Sequence, residues 1–352
     1  MSLLLTQSSG VIIGPISQLF GIIMNGIFIV LENIVKIFNP SDNVVVNIGV
    51  CLIIFTIIVN ILMIPLTYKQ QKFSFVSAKM NPEIKAVQKK YQGKKDTASM
   101  QKMNDETQAV YEKYGISPTG SCLPLLIQLP IIWGLYQVVL NVPAYVESVR
   151  NVFNPLISAI QGVAGYEGLM EGFVSAAGIQ RLVNPVYSSA NTLIDVFYKT
   201  STNGWAILKD TFPTCVDQIN TVSGQLDHMN SFLGLNLSNS PIEIIKGANG
   251  QIGIIIIAIL IPVLAFLSSY LTTKLTPQQT DDNSTMSNSL KTINLLMPIF
   301  SAVLSLSFAT GIGIYWVFNS VCGCVIRLVI NKKFNKMDFE EYLAKNAEKA
   351  EF

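Results

Sequence analysis

Residues 47–66 read NIGVCLIIFTIIVNILMIPL: twenty residues without a charge, in which only Asn47, Thr56 and Asn60 carry an amide or hydroxyl. A hydrocarbon core of about 30 Å takes roughly 20 helical residues to cross. Lipid offers nothing to backbone N–H and C=O groups, so such a stretch satisfies itself only as a helix. Stretches 252–273, 295–310 and 312–330 repeat the pattern, and a fifth, 122–142, is apolar with scattered polar residues. The chain of 352 residues is half hydrophobic and 13% charged, against roughly a quarter charged in an ordinary soluble domain. The fold class that follows is an all-α integral membrane protein with five transmembrane helices.

Charge orients them. Residues 65–116 hold ten lysines against five acids, a net of +5, and six basic residues follow from Arg327 onward. Residues 146–250 hold five basic residues against eight acids, a net of −3. Short Lys/Arg-rich loops stay inside, so 65–116 and the tail are expected in the cytoplasm and 146–250 outside. The N-terminal segment then lies outside a plasma membrane that the chain crosses several times. The expected organisation is an interfacial segment at 1–46, a first span at 47–66 and a cytoplasmic hairpin at 67–116. A second span at 120–143 leads to the external insertion 146–250. The third span, 252–273, is followed by a cytoplasmic loop at 274–290, spans at 293–310 and 312–331, and a tail at 332–352.

Between residues 16 and 38 the apolar positions recur at helical spacing, and Gln18, Asn25 and Glu32 recur every seven. This predicts an amphipathic helix in the outer interface; the rival is an additional span. With no basic residue before Lys36 and no A-x-A-like site, a cleaved signal peptide is not expected. Phe73, Val76, Met80, Ile84, Val87 and Tyr91 follow three- and four-residue steps, and so do Met100, Met103, Thr107, Val110 and Tyr114. Two such seams around a Gly93 turn, with Asp96 or Thr97 as cap, predict an antiparallel helical hairpin. Pro82 is expected to bend its first helix. The hairpin is expected to be mobile, tethered at two points. Gly311 to Gly313 are expected to form a turn between the last two spans.

Catalysis finds little support. His228 is the one histidine, expected in a polar external loop, and no HExxH, GxSxG, Walker or GxGxxG pattern stands in a suitable context. No metal or cofactor site is expected. The five scattered cysteines read as small apolar packers. Polar groups inside the spans are the better lead, because they are costly in lipid and face a bundle interior or water. Thr56 and Asn60 share a face of the first span. Gln128 and Tyr136 lie in the second, and Tyr315, Asn319 and Arg327 in the fifth, with Asn319, Gly323 and Arg327 at i, i+4 and i+8. Asn60, Gln128 and Arg327 sit on the order of 10 Å from the cytoplasmic ends of their spans, which predicts a hydrated recess. Taken singly, each has a plainer reading: a helix-backbone bond, interhelical glue, or snorkelling to the interface. Lys79, Lys85, Lys89, Lys90, Lys94 and Lys95 of the hairpin are either a solvated face or a contact surface for anionic lipid or ribosomal RNA.

Pro65-Leu66-Thr67, Lys79-Met80-Asn81-Pro82 and Tyr114-Gly115-Ile116-Ser117-Pro118 resemble the YidC/Oxa-type membrane insertases. So do the run from Gly120 to Pro130 (GSCLPLLIQLP), Leu135-Tyr136, Met297-Pro298 and the run from Gly311 to Val317 (GIGIYWV). The resemblance implies a five-helix core around a hydrophilic groove, an insertase and chaperone rather than an enzyme, and no cofactor. It implies nascent membrane proteins as substrates, the lipid bilayer, the ribosome and the Sec translocon as partners, and a functional monomer. The 146–231 region looks like an insertion on that scaffold. Two positions depart from the pattern. The family usually places an arginine where this chain has Asn60, and proline-alanine-glycine is commoner than Ala309-Thr310-Gly311. The alternative class, a small-solute transporter or channel, would want discontinuous helices with repeat symmetry, and no internal repeat is visible.

Overall fold

The computed structural model describes residues 7–8, 10–39, 45–94, 96–116, 123–179, 185–248, 250–276 and 285–350. The side chains of 123–128, 285–295 and 345–350 lie outside this described set. So do Lys95, residues 120–122 at the start of the span expected at 120–143, and residues 277–284 of the loop expected at 274–290. The protein is an all-α membrane protein. Helices α1 (Ile13–Phe38), α14 (Ile252–Leu275) and α16 (Thr310–Phe334) are long and apolar enough to cross a membrane. The pair α2 (Ile48–Leu62) and α3 (Ile64–Lys90) makes a fourth candidate, bent by 57° at the break. The remaining helices are α4 (Thr97–Lys113), α5 (Leu123–Leu140), α6 (Val142–Tyr145), α7 (Glu147–Asn151), α8 (Asn154–Gln161) and α9 (Tyr166–Ala176). After them come α10 (Ala190–Tyr198), α11 (Thr202–Thr211), α12 (Val216–Asn230), α13 (Pro241–Gly247), α15 (Thr285–Ser307) and α17 (Phe339–Ala350). Strands β1 (Ser231–Phe232) and β2 (Leu235–Asn236) form a short antiparallel ribbon.

The chain divides into two compact units, of which the first holds residues 1–55, 129–260 and 305–315. Within it part of the polar face of α1 meets protein, while Gln18 stays exposed. Ser17, fully buried, donates to the Gly134 carbonyl at 3.3 Å. The Asn25 side chain accepts from the Glu147 amide at 3.0 Å, and Ser148 donates to Glu32 at 3.0 Å. Leu19, Ile22, Val30 and Ile37 are left exposed on α1. The exposed part of this helix is therefore rich in apolar residues, as lipid requires.

Residues 142–230 fold around a core of their own. Phe153, Leu156, Met170, Phe173, Leu193 and Phe197 are at most 1% exposed, and each fully buried side chain of this size contributes roughly 1.5–3 kcal/mol. Local signals start the helices of this region. The Ser201 hydroxyl accepts from the Gly204 amide ahead of α11. Ser240 and Glu243 satisfy one another's backbone amides in a capping box at α13. His228, expected in a loop, sits in the last turn of α12.

The segment 228–239 ties this core to helix ends in the same unit. Asn47 donates its side-chain amide to the Ser231 carbonyl at 2.6 Å. Phe232 fills the notch at Gly49, where a Cβ would lie 2.6 Å from its ring. The Thr310 and Gly311 amides donate to the Asn239 and Leu237 carbonyls at 2.8 and 3.0 Å. The first N–H groups of a helix have no partner within it, so the segment 237–239 satisfies two of them for α16. This explains a correction. The turn expected at 311–313 is the first turn of α16, and the break falls at Phe308 and Ala309.

The second unit holds residues 56–128, 261–304 and 316–352. Here α3 is continuous through Pro82, and the bend lies ahead of Pro65. Asp96 caps α4 by accepting from the Ser99 amide at 2.9 Å, and Gly93 supplies a positive φ of 86° in the turn before it. Val76, Met80, Ile84 and Tyr114 are buried between the helices. Two matching clasps hold the pair. Lys113 reaches both Glu83 oxygens at 2.8 and 2.9 Å, and Tyr114 donates to the same carboxylate at 2.8 Å. Lys90 and Tyr91, adjacent at the end of α3, grip Glu106 in the same manner. Bonding to Lys113 holds the Glu83 carboxyl below its ordinary range, while burial and Glu83 push Tyr114 up to about 12. The hairpin expected to hang from two tethers has a third, since Phe339, Tyr342 and Leu343 of α17 pack on its core. The tail's charge hid this contact in the sequence.

Candidate functional site

Within the second unit, α2 brings Thr56 and Asn60, and α16 brings Asn319, Gly323 and Arg327. Thr56 is fully buried. The Asn60 amide nitrogen donates to the Thr56 carbonyl at 2.9 Å and to the Asn319 side-chain oxygen at 3.0 Å. Asn60 thus joins the two helices through the stripe that helical spacing marks out on α16. A buried amide pair is an expensive element unless it is bonded or wet.

Arg327 continues that stripe. Its Nε is buried and has no hydrogen-bond partner among the described residues. The side chain runs back one turn toward the Thr310 end of α16, for a Cβ at Gly323 would lie 2.7 Å from Arg327 Nη1. Glycine at 323 leaves the space the guanidinium uses. The side chain is therefore directed away from Lys332 and Lys333, opposite to a snorkelling arginine, which extends toward the nearest headgroups.

The same helix is also bonded to α14 in this unit, in part through Asn331, which lies four residues beyond Arg327. Thr272 donates to the Ser320 carbonyl at 3.2 Å and lies 3.1 Å from Cys324 Sγ, and Asn331 donates to the Leu275 carbonyl at 2.7 Å. Ser269 and Ser301 meet at 3.5 Å between α14 and α15. Sequence reasoning passed over these residues. Their signal was small polar residues at i and i+4, Ser268 with Thr272 and Ser269 with Thr273, a spacing that bonds neighbouring membrane helices.

The other expected residues are distributed differently. Tyr136 and Tyr315 belong to the first unit. There Tyr136 lies between Trp133 and Phe308, with ring centroids at 5.9 and 5.5 Å, and Tyr315 is 2% exposed. The Gln128 side chain lies outside the described residues. Among the lysines, Lys79, Lys85 and Lys89 are exposed. Lys90 is committed to Glu106, and Lys94 lies over the Tyr91 ring at 5.4 Å. Lys95 is outside the described set.

Residues 40–337 match the family described as 60Kd inner membrane protein. A stretch of 100 residues is 35% identical to the membrane protein insertase YidC of Fusobacterium nucleatum, covering 28% of this chain and 46% of that protein. Another similarity, 45% over 96 residues, is to membrane protein insertase YidC 1 of Streptococcus agalactiae and covers 27% of this chain and 35% of the relative. The membrane protein insertase MisCA of Bacillus subtilis is 36% identical over 101 residues, 29% of this chain and 38% of its own length. The chain thus spans less than half the length of each of these relatives.

Proposed function

Because the chain belongs to the 60Kd inner membrane protein family, of YidC/Oxa type, we propose that it is a membrane protein insertase and chaperone. Carrying a polar tail across hydrocarbon costs several kcal/mol for each unsatisfied polar group. A water-holding recess that reaches part-way through the bilayer shortens the apolar path. Burial of the substrate's own apolar segment in lipid then drives release, so the step needs no nucleotide and no catalytic residue. One observation carries this reading: a bonded amide pair, Asn60 with Asn319, on the same stripe as an arginine folded back from the nearer helix end.

The proposed recess is built from Thr56, Asn60, Asn319 and Arg327, and it opens to the cytoplasm. Gln128 joins the proposal on its expected depth in the second span, which matches that of Asn60 and Arg327. The topology that fits has five spans, an outside N-terminal segment with α1 at the outer interface, α3 and α4 as a cytoplasmic hairpin, and residues 146–250 outside. Nascent membrane proteins are the substrates, and the ribosome and the Sec translocon the partners, of a monomer. The test is depletion of the protein, followed by protease protection of small membrane proteins with one or two spans. Loss of protection, restored by the wild-type chain, supports the reading; normal protection overturns it.

A further inference from the structure

The contact of α17 with α3 and α4 has the form of a ligand in a groove. Phe334, at the end of α16, is 2% exposed and stacks on Phe75 at 5.5 Å and Tyr68 at 5.1 Å. Beyond a four-residue connection, Phe339 meets Phe75 and Tyr114 at 6.3 and 6.0 Å. Tyr342 donates to the Tyr114 carbonyl at 3.1 Å, and Lys72 lies over its ring at 4.8 Å. Phe339, Tyr342 and Leu343 occupy i, i+3 and i+4, the anchor spacing by which an amphipathic helix fills a groove. The two partners are opposite in charge. Residues 338–352 hold five acids against two lysines, a net of −3, while residues 65–116 carry the net +5 of ten lysines against five acids.

The α3 side of this groove, where Phe334 packs, also carries a defect. Gln71 is fully buried, and neither its Nε2 nor its Oε1 has a partner among the described residues; the Ser77 hydroxyl, 2% exposed, has none among them either. Gln71 lies three residues after Tyr68 and four before Phe75, on the face whose rings Phe334 covers. Each orphaned buried polar group shifts the balance toward an open, hydrated form by roughly tenfold. The three anchors of α17 are only partly buried, so undocking exposes little new apolar surface.

We propose that α17 is a reversible strap. The groove on α3 and α4 is a docking site for an acidic amphipathic helix with aromatic or aliphatic anchors at i, i+3 and i+4. The chain's own tail fills it at rest, and a partner helix of the same chemistry takes its place. This does not depend on the insertase reading, and its test does not measure insertion.

The experiment is amide exchange on the full chain in lipid nanodiscs. Removing residues 338–352 should raise exchange of residues 76–84 and 97–113 about tenfold and leave α14 unchanged. A synthetic peptide of residues 335–352 should restore protection, and in excess it should raise exchange of the tail in the intact chain. Gln71→Leu should slow exchange of residues 76–84 by about tenfold. If truncation also loosens α14, the paired substitution Phe339→Ser and Tyr342→Ser decides: a rise confined to the groove supports the strap. No rise in the truncated chain or the paired variant, or a peptide that neither protects nor displaces, overturns it.

Discussion

Replacing Arg327 by leucine should strengthen the fold while weakening the activity. An arginine at the centre of a span costs roughly 2.5–3.5 kcal/mol, and less toward the interface. Arg327 lies five residues before Lys332, about 7.5 Å along the axis, and its side chain is directed still further from that end. The lower end of the range applies, and the orphaned Nε is part of the same cost rather than an addition to it. Leucine fills less of the space beside Gly323, which takes back part of the gain. The net expectation is a stabilisation of about 1–2 kcal/mol, read as an upward shift of a few degrees in thermal unfolding in detergent. The same variant in proteoliposomes should lose protection of short substrates with acidic tails several-fold, and lose less with neutral tails. Asn60→Arg in that background should recover part of the loss, because Asn60 already reaches Asn319 on the stripe. A variant that melts earlier and loses both substrate types in parallel would mark Arg327 as a packing residue. Unchanged insertion would remove it from the recess.

Gly49→Val should destabilise the first unit by about 1–3 kcal/mol through overpacking against Phe232, and Phe232→Ala should relieve the effect in a thermal melt of the double variant. The Glu83 clasp makes hairpin stability depend on pH at both ends. The lowered Glu83 pKa gives a contribution present above about pH 4.5 and lost as pH falls through the folded value. Tyr114, raised from 10 to about 12, contributes fully below pH 10 and loses that contribution as pH rises through 12. Ultraviolet titration of tyrosinate should show the high-pH arm move down in Glu83→Gln. Replacing residues 154–226 by a flexible linker should leave most insertion activity, whereas removing residues 237–239 should abolish it by uncapping α16. A cysteine at Ser8 should react with an impermeant maleimide from outside the cell, and one at Lys94 only after permeabilisation; the reverse pattern overturns the topology.

Periodicity and charge reach as far as each helix's own surroundings. The apolar run at 47–66 was enough to give an all-α membrane protein, because lipid leaves a continuous apolar segment no other conformation. The same run could not show the break at Met63, which depends on what α3 packs against. Asn25 and Glu32 read as a polar face, but a sequence does not say whether such a face meets water or the Glu147 amide and the Ser148 hydroxyl. The start of α16 was misplaced for a similar reason: its first amides are satisfied by carbonyls some seventy residues earlier in the chain. Arg327 was legible as an intramembrane charge. Its direction was not, because the glycine at 323 that makes room for the backward rotamer reads equally well as an ordinary packing glycine. The tail looked like a solvated charged end, since three anchors among many lysines and glutamates give a weak pattern without the groove they fill.

The two clasps repeat one register. Lys90 stands opposite Glu106 and Lys113 opposite Glu83, seven residues apart on each helix. A slip of either helix along the other would break both at once, so sliding is forbidden to this pair while rotation of the pair as one piece is not. Mechanically, α3 with α4 is a stiff rod of 27 residues, roughly 40 Å from pivot to tip at 1.5 Å per residue, and its pivot is the 57° bend at Met63. Load applied at the Lys94 tip is therefore delivered with leverage to the start of α3, four residues beyond Asn60.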